Sequence, residues 1–137
     1  MNTSEERHQV MMDIKLTEDV VQARLQGREL ARELGFSGSQ SMLVVTAISE
    51  LARNILRHAG AGEIGLSVVT QGAQSGLRII ALDRGPGINQ VTSIPDTPHA
   101  VSNNAQLGLV GLREIVDELE LGNRPGGGAC VAATIWL

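Results

Sequence analysis

The sequence predicts one α/β domain in which a single mixed sheet carries its helices on one face. Three observations point there. Apolar residues switch between a spacing of two and a spacing of three to four, in the order β-α-α-β-β-loop-α-(β)-β. The run Leu77 to Asp83 is apolar on both faces, as a central strand should be. The chain has 137 residues, enough for one core, and no repeat or domain boundary divides it.

Val10 to Leu16 reads as the first strand, with Val10, Met12, Ile14 and Leu16 on one face. Thr17 is then placed to cap a helix whose first turn holds Glu18 and Asp19, where acids suit the helix dipole. That helix runs to about Leu34 and stops at Gly35. Gly27 in its middle costs about 1 kcal/mol relative to Ala, which predicts close packing there. Ser37 to Ser41 reads as a polar connection. The second helix covers roughly Gln40 to Ala59, with a stripe of Val44, Ile48, Leu51 and Ile55, and Gly60 and Gly62 end it. Ile64, Leu66 and Val68 alternate as a strand, and Gln71 to Gly76 turns the chain into Leu77 to Asp83. Arg84 to Leu107 has no period and contains Pro86, Pro95 and Pro98, so it reads as a lid or binding loop. Leu109, Leu112, Ile115, Val116 and Leu119 mark a third helix. Gly122 to Gly128 is a turn, and Ala129 to Leu137 is the last strand.

Composition narrows the function. Aromatic residues are only Phe36 and Trp136, which counts against single-stranded nucleic-acid binding by base stacking. A net charge of -4 leaves no basic footprint for a phosphate backbone. Cys130 is the sole cysteine, so no intrachain disulfide forms, and its apolar run predicts a small buried hydrophobe. Met1 to Gln9 has no apolar signal region and no stretch reaches a membrane span, which predicts a cytoplasmic protein.

Two segments carry chemistry. Glu50, Asn54 and His58, spaced i, i+4 and i+8, lie along one edge of the second helix beside its apolar stripe. An Asn oxygen suits Mg²⁺, and a Glu one turn earlier suits proton acceptance from a hydroxyl. The bland alternative is a solvated helix edge, with His58 a helix-end residue favoured by the dipole. The second segment is Asp83-Arg-Gly85-Pro-Gly87. An acid at the end of an apolar strand needs donors, either N–H groups of the following turn or the exocyclic amine of an adenine. Gly85 and Gly87 allow close approach of a ligand. Further on, Gly108 opens the third helix, where backbone amides attract phosphate, or Gly111 packs against a neighbour.

At these residues the chain resembles the GHKL (Bergerat-fold) ATPase superfamily. Ile48-Ser-Glu50-Leu-Ala-Arg-Asn54 looks like its N box, Asp83-Arg-Gly85-Pro-Gly87 like its first glycine box, and Gly108-Leu-Val-Gly111 like the end of its second. Within it, Ala31 to Phe36, Thr46 to Ile55 and the closing Ile135-Trp136-Leu137 resemble the RsbT-like serine/threonine kinase switch proteins of stressosomes. The resemblance implies a two-layer sandwich with a mostly antiparallel sheet, three helices on one face and a long ATP lid. It implies Mg-ATP as cosubstrate, STAS-domain proteins as phosphoacceptors, and a serine phosphatase bound and activated on release. By position, Glu50 is then the general base, Asn54 the Mg²⁺ ligand and Asp83 the adenine contact. Gly85, Gly87, Gly108, Gly111 and His58 shape the nucleotide pocket.

Two departures stand out. Asn103-Asn-Ala-Gln-Leu107 lacks the lid glycines of that family, and Ala129 replaces a Thr whose hydroxyl supports adenine. Losing that hydrogen bond weakens binding by about 0.5–1.5 kcal/mol. The alternatives are therefore a weakly nucleotide-binding or non-catalytic partner switch, and an anti-sigma factor kinase.

Overall fold

The structure, a computed structural model, describes residues 5–85 and 104–137. Its elements are β1 (Glu5–Ile14), α1 (Thr17–Leu34), α2 (Gly38–His58), β2 (Gly62–Gln71), β3 (Gln74–Asp83), α3 (Asn104–Ile115), β4 (Glu118–Asn123) and β5 (Ala129–Trp136). The strands form one sheet in the order β1-β2-β3-β5-β4, and each neighbouring pair is antiparallel. This is the expected sandwich, with β3 at the centre of the sheet, but the sheet is antiparallel throughout the described residues rather than mixed, because no helix crossover joins two neighbouring strands in parallel.

Period-two alternation puts the same face of every strand under the helices. Cross-strand neighbours Ile64 and Ala81, Leu66 and Ile79, and Leu77 and Ile135 all turn to that side and are buried. Val44, Ile48, Leu51 and Ile55 of α2 close the core from above. Gly27 is where α1 and α2 meet: a β-carbon there would overlap the tip of the buried Ile48 side chain, which would have to shift to admit it. On the outer face, Met11 covers Gly65 and the Trp136 ring covers Gly76. Arg78 Nε donates to Thr134 Oγ1 at 3.3 Å, and Trp136 Nε1 donates to Glu118 Oε2 at 2.7 Å.

Several boundaries differ from expectation for local reasons. β1 ends at Ile14, and Leu16 is exposed in extended conformation as the residue that caps α1. Thr17 does not cap. Asp19 does the work from inside the first turn, its Oδ2 accepting the N–H groups of Lys15 and Leu16 at 2.9 Å each. Those backbone hydrogen bonds, Lys15 first, hold the Asp19 carboxyl below its ordinary value. Val10 is exposed rather than part of the core, beyond a one-residue bulge between Arg7 and Val10.

α2 starts two residues earlier than its apolar stripe implies. Ser37 Oγ accepts from Gln40 N–H at 3.1 Å, and Gln40 Oε1 accepts from Ser37 N–H at 3.2 Å. Gln40 Nε2 also donates to the Trp136 carbonyl at 3.1 Å, tying this helix start to the last strand. Ser37→Ala should therefore destabilise the fold by about 1 kcal/mol. A urea melt with unchanged slope and a lower midpoint is the expected result.

The hairpin turn tightens to Gly72-Ala73, with Gly72 at φ 63°. α3 ends at Ile115, and Leu119 belongs to β4 instead of the helix. Cys130 is half-buried, because alternation sends Val131, Ala133 and Ile135 to the core and Cys130 to the other face.

Candidate functional site

Three half-buried side chains, Glu50, Asn54 and His58, follow one edge of α2 toward its C-terminus. The helical rise sets Asn54 about 6 Å and Glu50 about 12 Å along the axis from His58. Glu50 Oε1 lies 3.6 Å from Arg53 Nη1, so Arg53 flanks this edge. Both partners are more than a third exposed, which leaves the pair worth little in stability. His58 Nε2 is buried and takes no hydrogen bond from the described residues.

α2 closes with the Ala59 and Gly60 N–H groups both on the Ile55 carbonyl, at 2.9 and 3.0 Å, and Gly60 at φ 81°. This end meets the end of β3. A β-carbon on Gly85 would lie 2.7 Å from Ala59 Cβ and 3.0 Å from the His58 carbonyl oxygen. Gly85 is thus a glycine so that the turn after Asp83 can seat against α2. Gly62 serves the same corner, since a β-carbon there would overlap the Leu82 carbonyl oxygen and crowd Ile55.

Asp83 is held from two sides. Its Oδ1 accepts the Gly85 N–H at 2.9 Å and the Ala129 N–H at 3.2 Å. Its carbonyl accepts from Arg124 Nη1 at 3.1 Å. Backbone N–H groups therefore satisfy one carboxylate oxygen, while Oδ2 takes no donor from the described residues. Ala129 offers no hydroxyl, but its amide contributes directly to this anchor.

The three consecutive glycines before β5 complete the grip. Gly126, Gly127 and Gly128 all have positive φ, and a β-carbon on Gly128 would overlap the Asp83 carbonyl oxygen. Arg124, Gly128 and the Ala129 amide were not among the expected site residues. The Gly126–Gly128 run was the signal for them, since consecutive glycines mark a backbone that something approaches closely.

Gly108 and Gly111 occupy a different place from the one expected. α3 begins at Asn104, so Gly108 is its fifth residue and its N–H lies inside the helical ladder. The first-turn amides belong to Asn104 through Leu107. Ala105, Gln106 and Leu107 are strong helix formers, and nothing in them delays the helix. Gly111 is exposed, with open space where a β-carbon would stand. Gly87 lies outside the described residues, as does most of the segment expected to form the lid. Among the described residues, no group of three or more His, Cys, Asp or Glu could hold a metal ion. No helix among them is long and apolar enough to cross a membrane.

An anchored carboxylate thus ends β3, and the turn after it meets the C-terminal end of the helix that carries Glu50, Asn54 and His58. Residues 15–135 match the histidine kinase-like ATPase domain. The chain belongs to the histidine kinase-like ATPase family. Within that family it is similar to the serine/threonine-protein kinase RsbT of Bacillus subtilis (strain 168), with 41 % identity over 119 residues. That alignment covers 87 % of this chain and 90 % of the relative. The expected RsbT-like assignment and its kinase class rest on this relative.

The fold of this ATPase-family chain also resembles one in the crystal structure of the SiaB–SiaC complex from Pseudomonas aeruginosa, with a TM-score of 0.58. The match covers 96 % of this chain and 91 % of that one at 12 % identity, so it speaks for the fold alone.

Proposed function

We propose that the chain is a Mg-ATP-dependent serine/threonine kinase that phosphorylates a STAS-domain partner within a partner-switching module. On release from that partner it binds and activates a serine phosphatase. The observation that carries this reading is the Asp83 carboxylate, fixed by two backbone amides through Oδ1, with no donor from the described residues on Oδ2. An adenine amino group is a suitable donor, and the half-buried edge of α2 begins at the same corner.

In this reading Asp83 accepts a hydrogen bond from the adenine amine, and Glu50 takes the proton from the acceptor serine hydroxyl as its oxygen bonds to the γ-phosphorus and the bond to the β,γ-bridging oxygen breaks, releasing ADP. The Asn54 carboxamide suits a Mg²⁺ that arrives with the phosphates. The ion would supply charge neutralisation on the transferring phosphoryl group. His58 lines the adenine end of the pocket. Gly85 acts at one remove, by letting the Asp83 turn seat against α2.

Asp83→Asn tests the adenine contact. The amide can still accept through one oxygen, but its NH₂ group then faces the adenine amine, donor against donor. Mg-ATP affinity by calorimetry should fall at least about tenfold, the loss of one charge-assisted hydrogen bond. Unchanged affinity would remove Asp83 from the nucleotide site. Transfer of labelled γ-phosphate to a purified STAS-domain protein tests the kinase reading itself.

One observation favours a second reading, a partner switch that binds nucleotide weakly or not at all. Because α3 starts at Asn104, the Gly108 amide is used inside the helix. Calorimetry showing no Mg-ATP binding would select it. An anti-sigma factor kinase shares every residue above, and a pull-down against a sigma factor and a STAS protein separates the two.

A further inference from the structure

On the outer side of the helical layer, away from the sheet, α1 and the N-terminal half of α2 enclose an open groove of about 880 Å³. Its apolar surface comes from Val21 and Leu25 of α1 and Met42 and Val45 of α2. Val21, Leu25 and Met42 are 47, 53 and 62 % exposed, although each sits on a well-formed helix with a buried face elsewhere. A contiguous apolar strip of this kind on a small domain marks a binding surface more often than scattered exposed residues do.

The rim is predominantly basic. Arg24, Arg28 and Arg32 recur every four residues along one edge of α1, against a single glutamate, Glu29, in the same lining. Glu29 pairs with Arg32 at 3.1 Å, while Arg24 and Arg28 pair with no described residue. This basic row stands on a chain whose net charge is -4, so it is a local concentration against the overall balance.

We propose that this groove docks an acidic amphipathic helix of a partner protein. Two packed helices present ridges and grooves that a third helix fills through side chains at i, i+3, i+4 and i+7. The lining comes from helices and the short connection between them, with no open strand edge to receive a β-strand. The span from Val21 to Arg32 is about 16 Å, or three turns of a docked helix. The arginine row selects acidic residues on the flank of that helix and steers its approach. A second copy of this chain is a poor occupant, because a two-fold contact on this face would set arginine against arginine. The docking surface lies on a different stretch of α2 from Glu50, Asn54 and His58, and the inference does not depend on the kinase reading.

The test uses the full chain, ¹⁵N-labelled, and two designed helical peptides of about 18 residues, long enough to populate a helix. Both carry leucines at helical spacing; one has glutamates along the flank and the other lysines. The acidic peptide should bind saturably, with amide shifts clustered in residues 21–32 and 38–45, at least tenfold tighter than its lysine counterpart. The double variant R24E/R28E should reverse that preference, and Leu25→Asp should abolish binding while the circular dichroism spectrum is kept. Asp83→Asn should leave peptide binding unchanged. Shifts elsewhere, no dependence on charge, or no saturation would overturn the proposal. So would sedimentation showing a dimer that Leu25→Asp dissociates, which would give the groove to a second copy.

Discussion

Glu50→Gln should lower phosphoryl transfer by about 10²–10⁴-fold while Mg-ATP affinity stays within about threefold. The amide keeps the size and the half-buried position of the side chain and removes only its ability to accept a proton. Among the described residues Glu50 has one near neighbour of opposite charge, Arg53, at 3.6 Å and on the exposed side. Losing that pair has little effect on stability, so the fold should melt within about 1 kcal/mol of the parent. Single-turnover transfer to a STAS-domain protein, measured beside calorimetry with Mg-ATP, separates the two effects. Equal loss of binding and transfer would make Glu50 a nucleotide-binding residue. Unchanged transfer would remove it from the reaction.

Gly128→Ala should be among the most damaging small substitutions in the chain, destabilising by roughly 2–4 kcal/mol. Two effects add at this position. Its φ of 103° is strained for any residue with a β-carbon, and that carbon would overlap the Asp83 carbonyl oxygen. The end of β3 must then move, taking with it the Arg124 bond to that carbonyl and the Ala129 bond to the carboxylate. Gly126→Ala is the control: φ is 86° but the space is open, so only the backbone strain of about 1–2 kcal/mol applies. Urea unfolding of the pair checks the difference. Any residual folded Gly128→Ala protein should bind Mg-ATP more weakly than Gly126→Ala, since only the former disturbs Asp83. Equal midpoints for the two variants would mean that the turn can shift away from β3 at no consequence.

The elements were legible where the pattern is long and local. α1 and α2 show helical spacing over five turns or so, and β2, β3 and β5 are short apolar runs bounded by turn residues, as central strands of a sheet should be. The errors fall at ends, where a few polar atoms decide. α1 starts by way of Asp19 rather than Thr17. α2 gains its first residues from the Ser37–Gln40 capping box, a Ser-x-x-Gln pattern inside a polar run that by composition alone reads as a connection. Leu119 fitted the spacing of α3, yet pairs with Ala133 in the sheet, because a short apolar run satisfies either period.

The candidate site divides in the same way. By itself the sequence determined that Glu50, Asn54 and His58 share a helix edge, that an acid ends the central strand, and that the chain is a histidine kinase-like ATPase. Each follows from spacing within about ten residues or from motif identity. Only the tertiary structure decided how Asp83 is held. Its partners, Arg124 and Ala129, are 41 and 46 residues away in the chain, and no local pattern encodes such a distance. It also decided that Gly85 is small where it seats against Ala59, and that Gly128 is small where it meets a carbonyl. The groove between α1 and α2 belongs to this second class. Val21, Leu25 and Met42 read as ordinary helical residues until the two helices pack at Gly27 and leave those side chains facing outward, because a helix has one buried face and packing chooses which.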